Sequence, residues 1–357
     1  MVNIKANMTK ITINERIVGR NFPPYIIAEA GLNHNGNLET AFEMISVAKN
    51  SGVDAIKFQT FQADEIIEDK ELTYSYKSQG KVITESMYEM FKRCEFSNSD
   101  WFKIKEKCDE RNITFLSTPQ NTSDLDVLLK VGIPAIKVGS DDFTSLPLLK
   151  DYAKTKLPLI LSCGMSNMSE VYESLNVVGA FDDYPTILLL TTSQYPTPPE
   201  DVHLRKLQSL STAFPMVTIG FSDHTIGNIA ASNAVGFGAR VFEKHFTLDH
   251  DSPGPDHWFA SEPLELQTYV DSIKQSFIML GNELVSPTIQ EKENLLTSRR
   301  SVTALENITK GSIFTIENIG LRRPGYGIKP KHLDEIIGKK SSKNIKKGTP
   351  IKFGDFV

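Results

Sequence analysis

A chain of 357 residues exceeds the size at which one hydrophobic core usually stops growing, so its length predicts one large domain and a smaller companion. With 40% hydrophobic and 23% charged residues it has ordinary globular chemistry, with no tract poor enough in apolar residues to stay unfolded. A formal charge of -5 leaves no cationic excess to neutralise phosphates or lipid headgroups, which argues against general nucleic-acid and membrane-surface roles.

The first twenty residues lack a continuous apolar run, and no later run approaches the roughly 20 residues a membrane span needs, so the expectation is a soluble cytoplasmic protein. Cys94, Cys108 and Cys163 are odd in number and form no C-x-x-C pair, so they read as buried small hydrophobes, not as disulfides or a zinc site.

From about Pro24 short β-branched runs alternate with longer amphipathic segments, the pattern of a parallel sheet covered by helices. Strands are predicted at 25–30, 55–60, 114–117, 135–138, 159–162, 186–191, 217–221 and 241–245. Helices are predicted at 38–51, 99–111, 122–131, 146–154, 168–178, 204–214, 228–238 and 265–281. Eight such units predict a closed (β/α)8 barrel within residues 1–283. An open doubly wound sheet would carry a G-x-G-x-x-G turn after its first strand, and none is present.

Beyond Gly281 the pattern breaks. Residues 284–298 read as a linker, and 299–357, dense in Gly and Pro turns, as a small β-rich domain.

Polar residues cluster at the carboxyl ends of the predicted strands, which in a barrel converge on one face. They are Glu29, Lys57, Gln59, Thr118, Lys137, Ser140, Ser162, Ser193, Ser222, His224, Glu243 and His245. His224 and His245 end neighbouring strands and suit a divalent metal that polarises a carbonyl, against a bland reading as satisfied polar groups. Lys57 and Lys137 sit between apolar neighbours, so period-two alternation points both ammonium groups inward. Two buried cations call for an anionic ligand, a phosphate or carboxylate, or else for structural salt bridges with Glu29 or Glu243. Glu29 precedes the turn Gly31-Leu32-Asn33-His34-Asn35-Gly36 and reads equally as a base, as a hydroxyl-binding group or as a lysine partner.

Taken in order, several segments resemble the sialic acid synthase family. They include Ile27-Ala28-Glu29-Ala30-Gly31, Lys57-Phe58-Gln59-Thr60-Phe61, Ser117-Thr118-Pro119 and Ile136-Lys137-Val138-Gly139-Ser140. Later ones are Tyr195-Pro196-Thr197-Pro198, Gly220-Phe221-Ser222-Asp223-His224-Thr225, Glu243-Lys244-His245-Phe246-Thr247 and Gly254-Pro255-Asp256-His257. The tail, with Arg323-Pro324-Gly325-Tyr326-Gly327, is similar to that family's antifreeze-like (SAF) C-terminal domain.

The resemblance implies condensation of phosphoenolpyruvate with N-acetylmannosamine or a related acetamido sugar. It implies a Mn2+ or Mg2+ ion on His224 and His245, and phosphoenolpyruvate contacts from Lys57, Lys137, Ser140, Ser162 and Ser222. It implies sugar contacts from Gln59, Thr118, Asp142, Tyr195, Glu243 and Arg323, with Glu29 and Asp256 shuttling protons or holding hydroxyls. It further implies a homodimer in which the small domain of one subunit caps the other's barrel. Gln120, Cys163 and Asp142 stand where the family usually has Phe, Thr and Glu, all expected on the sugar side. Legionaminate and pseudaminate synthases, which use diacetamido-trideoxy hexoses, are the nearest alternatives. A metal-dependent barrel hydrolase is more remote, because such enzymes usually open with an H-x-H pair where this chain has Ala28-Glu29-Ala30.

Overall fold

The computed structural model describes residues 10–357, which divide into two compact units, one ending at Gly281 and one running from Asn282 to Val357. Eight parallel strands build the first unit: β1 (Tyr25–Gly31), β2 (Ala55–Thr60), β3 (Thr114–Pro119), β4 (Ile136–Val138), β5 (Leu159–Ser162), β6 (Thr186–Leu190), β7 (Thr218–Asp223) and β8 (Val241–His245). The ladder runs β3-β2-β1-β8-β7-β6-β5-β4. Its end strands, β3 and β4, pack side by side, so the sheet curls into the expected barrel.

A helix follows each strand: α1 (Leu38–Asn50), α2 (Asn98–Glu110), α3 (Thr122–Val131), α4 (Leu146–Ala153), α5 (Met168–Val177), α6 (Lys206–Ala213), α7 (Ile229–Gly236) and α8 (Pro263–Leu280). Local chemistry starts several of them. Asn37 caps α1 by accepting from the Thr40 amide, and Ser97 with Asp100 forms a capping box on α2.

Two cores divide the apolar residues by strand parity. Ile26, Ala28, Phe58, Phe115, Leu161, Leu188 and Phe242 face outward and pack against the helices. Ile27, Ala55, Leu116, Ala135, Ile160, Ile187, Leu189 and Val241 face inward and fill the amino end of the barrel. The sequence reading did not find the hairpin of Ile11–Ile13 and Arg16–Val18, whose Ile11, Ile13 and Val18 join the inward layer and plug that end. The inward layer therefore leaves room for polar side chains only toward the carboxyl ends.

A second hairpin, Thr73–Ser78 with Lys81–Ser86, lies between β2 and α2 and was also missed. The second unit includes the stretch expected as a linker. Residues Ile289–Ser298 form a helix, opened by a capping box in which Thr288 Oγ1 accepts from the Glu291 amide and Glu291 accepts from the Thr288 amide. The β-rich remainder pairs Ser301–Ala304 antiparallel with Ile319–Arg322 over a core of Val302, Phe314, Ile328, Ile345 and Ile351. None of the described helices is long and apolar enough to cross a membrane.

Candidate active site

The carboxyl ends of the barrel strands open into a cavity of about 830 Å3. Its floor is a charged quartet held by strand register. β1 pairs Glu29 with Lys57 of β2, and the two inward side chains meet, Lys57 Nζ standing 2.7 Å from Glu29 Oε2. Lys57 Nζ also donates to Thr118 Oγ1 at 3.1 Å and lies 3.9 Å from Glu243 Oε2. Lys137 Nζ reaches Glu243 Oε1 at 3.7 Å and donates to Ser162 Oγ at 2.8 Å. Gln59 donates to Glu29 Oε1 at 2.9 Å, and Ser222 Oγ donates to Glu243 Oε1 at 3.3 Å.

All four charges are at least 96% buried, so the quartet holds together only as a mutually compensated set. Burial alone would neutralise Lys57, but Glu243 and Glu29 outweigh it and hold its ammonium above the usual range. Burial also works against Glu243, where Lys137 and Lys57 prevail and keep it ionised. For Lys137 burial wins and lowers the ammonium. For Glu29 burial again wins and raises the carboxyl despite Lys57.

Above the floor, His224 directly after β7 and His245 at the end of β8 stand with ring centroids 5.5 Å apart and planes at 70°. Tyr195 stacks on His224 at 4.2 Å, and Phe259 lies 5.5 Å from His245. His224 Nδ1 faces the Thr192 carbonyl at 2.8 Å and must donate to it, which leaves the Nε2 lone pair available. His245 Nδ1 is buried without a hydrogen-bond partner and lies 3.7 Å from Asp256 Oδ2. Burial pushes His224 down to about 4 and holds His245 well below the usual imidazole range, so both imidazoles are neutral at physiological pH, the form that ligates metals. Asp256 is raised to about 7, first by burial and then by Glu29. The described residues contain no group of three or more His, Cys, Asp or Glu able to hold an ion. Two neutral rings, one with an orphaned buried nitrogen, nonetheless fit a divalent ion whose other ligands are oxygens of water and substrate.

The cavity gathers Glu29, Lys57, Gln59, Thr118, Lys137, Ser140, Ser162, Ser193, Tyr195, Ser222, His224, Glu243, His245 and Asp256, all singled out from sequence. Two of the residues singled out lie outside the lining of this cavity. Asp142 does not line it; the turn after β4 presents Asp141 instead, while Asp142 is held back with its carbonyl accepting from Ser145. Cys163 is buried, its thiol donating to the Leu189 carbonyl, and lines a neighbouring cavity between the β5 and β6 ends. Gln120 does line the site. Arg323 is an exposed residue of the second unit.

Sequence reasoning missed the rim. The hairpin supplies Tyr74, Ser75, Tyr76 and Lys77, and the loop after β8 supplies Trp258 and Phe259. Lys77 Nζ sits 4.7 Å over the Trp258 ring, and Gln79 donates to the Asp251 carbonyl, tying the hairpin to that loop. The signals for the hairpin were Gln79-Gly80 at its turn, both at positive φ, and the β-forming runs Thr73-Tyr74-Ser75-Tyr76 and Val82-Ile83-Thr84 on either side.

A (β/α)8 barrel whose mouth holds two buried ammonium groups beneath two neutral imidazoles defines an enzyme architecture suited to an anionic substrate and a second, polarised one. Residues 44–284 match the NeuB family and residues 299–357 the SAF domain, and the chain belongs to the NeuB family. It is 37% identical to the N,N'-diacetyllegionaminic acid synthase of Legionella pneumophila, over 93% of this chain and 94% of that protein. It is 33% identical to a pseudaminic acid synthase of Campylobacter jejuni, over 93% of this chain and 96% of that protein. Among solved structures it resembles the N-acetylneuraminic acid synthetase of Leptospira borgpetersenii, crystallised with citrate, at a TM-score of 0.72 and 31% identity over 81% of this chain and 95% of that one.

Proposed function

We propose that the chain is a nonulosonic acid synthase, condensing phosphoenolpyruvate, an acetamido hexose and water into a nine-carbon 2-keto sugar acid and inorganic phosphate. The observation that carries this reading is the stacking of the charged quartet under the histidine pair in one cavity. The lower group suits an anion, the upper an electrophilic aldehyde.

In this reading Lys57, Lys137, Ser140, Ser162 and Ser222 hold the phosphate and carboxylate of phosphoenolpyruvate, displacing the lysines' present contacts with Thr118 and Glu243. Gln59, Thr118, Tyr195, Glu243 and Asp256 orient the open-chain sugar so that its C1 faces C3 of the enol. A Mn2+ or Mg2+ ion held by His224 and His245 would supply Lewis-acid polarisation of the aldehyde. As the new C–C bond forms, the aldehyde oxygen takes a proton. Water then adds at C2, giving up its proton to a carboxylate, and the resulting hemiketal loses phosphate to leave the ketone. Glu29 and Asp256, raised by burial and open to the cavity, are the carboxyls that move these protons.

Apolar rim residues Leu32, Met87, Met90, Phe91 and Trp258 favour an acceptor rich in methyl groups, a diacetamido-trideoxy hexose, over plain N-acetylmannosamine. The legionaminate-type relatives support the same choice. The reading includes a cytoplasmic enzyme of two domains, working as a homodimer in which one subunit's SAF domain brings Arg323 to its partner's sugar.

The test is phosphate release from phosphoenolpyruvate with N-acetylmannosamine, with the diacetamido-trideoxy mannose analogue and with the corresponding altrose analogue. Release that requires both substrates supports the reading, and the best acceptor assigns the product. No acceptor-dependent release with any of the three overturns it.

A further inference from the structure

Each histidine follows a charged residue whose side chain points the other way. On β7 the order is Ser222, Asp223, His224, and on β8 it is Glu243, Lys244, His245. Register pairs Asp223 with Lys244 directly, just as it pairs Ser222 with Glu243 one step earlier. Alternation then sends Ser222, Glu243 and both imidazoles into the cavity and turns Asp223 and Lys244 out toward the helix layer. Neither lines the cavity.

These two outward charges are buried as deeply as those of the floor, at 1% and 2% exposure. Lys244 Nζ lies 3.6 Å from Asp223 Oδ2 and donates to the Thr225 carbonyl. Asp223 Oδ1 accepts from the Thr225 amide at 2.8 Å and from its hydroxyl at 2.7 Å. Tyr269 of α8 closes the cluster, its ring 5.3 Å from Lys244 Nζ. The backbone is therefore gripped on both sides of His224, at 223 and 225, by groups anchored to the residue before His245.

An outward ion pair between barrel and helices adds no substrate contact, and an apolar pair of equal volume would ordinarily serve stability as well. What it adds is geometric definition. A salt bridge with shared hydrogen bonds tolerates little sliding of one strand past the other, and that sliding is the motion that would alter the spacing of the two rings.

We infer that Asp223 and Lys244, with Thr225, are positioning residues that lock the carboxyl ends of β7 and β8 so that His224 and His245 can share one divalent ion. The inference rests on the proposed metal site and assigns the outward face of that site its role. It separates two functions of adjacent residues: inward side chains bind, outward ones set the distance.

The test is Mn2+ titration of the purified full-length protein, with free Mn2+ read by electron paramagnetic resonance, on the wild type, Asp223→Asn, Lys244→Met and His224→Ala. Phosphoenolpyruvate KM and thermal unfolding are measured alongside. Asp223→Asn is nearly isosteric and keeps an oxygen for Thr225, so it carries the test if Lys244→Met does not fold. The expected result is Mn2+ affinity weakened about tenfold or more in the clamp variants, with phosphoenolpyruvate KM within about twofold of wild type, since the floor contacts are untouched. Unchanged Mn2+ affinity in a folded clamp variant, whatever its melting temperature, overturns the inference. Wild-type Mn2+ binding that survives His224→Ala removes the metal site itself, and this role with it.

Discussion

Lys137 Nζ donates to Ser162 Oγ at 2.8 Å across neighbouring strands, and that bond sets where the ammonium stands above the apolar filling of the barrel. A charge-assisted bond of this kind contributes about 1.5–3 kcal/mol. Ser162→Ala is therefore expected to raise the phosphoenolpyruvate KM roughly 10- to 100-fold while leaving the acceptor KM unchanged. Initial-rate phosphate release with each substrate varied in turn checks both numbers.

Removing one member of a compensated set strands the others. Lys57→Met leaves Glu29 buried without its nearest cation and Glu243 with Lys137 alone, a change expected to cost about 3–5 kcal/mol of stability. Adding Glu29→Gln to that variant is expected to restore part of the loss. Denaturant unfolding of the four proteins of the cycle measures the coupling, and strictly additive losses would refute a cooperative floor.

Gly164 follows β5, and its amide donates to Ser140 Oγ at 3.0 Å, one of the hydroxyls proposed to hold phosphoenolpyruvate. A Cβ there would meet Ser193 Oγ, Ser140 Oγ at 2.6 Å and Thr191 Cγ2 at 2.9 Å. The serine hydroxyls can rotate aside, so Gly164→Ala is expected to fold but to lose the Ser140 position, lowering kcat/KM about 100-fold through phosphoenolpyruvate. A melting temperature near wild type together with that kinetic loss is the expected pair of measurements.

At the rim, Lys77 Nζ sits over the Trp258 ring, where the proposed function seats the acceptor. Trp258→Ala is expected to raise the acceptor KM about tenfold and to leave the phosphoenolpyruvate KM in place. Equal effects on both constants would place Trp258 in general folding of the mouth instead.

Asp124 in the first turn of α3 is buried, and burial pushes its carboxyl up to about 7. The folded form therefore holds a proton that the unfolded chain, with a carboxyl near 4, has released. Stability from this group is present below pH 4 and is lost as pH rises from about 4 to 7. Asp124→Asn is expected to make melting temperature fall less steeply across that window, which thermal unfolding at pH 4.5, 5.5 and 6.5 will show.

Much of this was legible in the residues, and the exceptions share a cause. The barrel strands were found to within a residue or two because inward and outward positions are both buried, giving unbroken β-branched runs. The hairpin at 73–86 was not, because its residues are mostly exposed and it is inserted between β2 and α2, where the β/α alternation expects no further strand. Helix Ile289–Ser298 was read as a linker because none of its side chains is buried, so it lacks the amphipathic stripe and announces itself only through Thr288 and Glu291. Asp141 and Asp142 could not be ranked from sequence, since in a turn no periodicity fixes which of two adjacent carboxylates faces the cavity. The lysines and histidines could be placed because strand parity decided for them.

Among the described residues, the amino-end hairpin closes the barrel opposite its mouth and leaves one door. With Ile11, Ile13 and Val18 sealed into the bottom, whatever enters past Tyr74 and Trp258 must leave the same way. A ligand seated on Lys57 and Lys137 is then trapped while a larger molecule stands in front of it. Traffic through such a dead end is last in, first out: the deep substrate must arrive before the shallow one, and phosphate formed at the back waits for the sugar acid to clear the threshold.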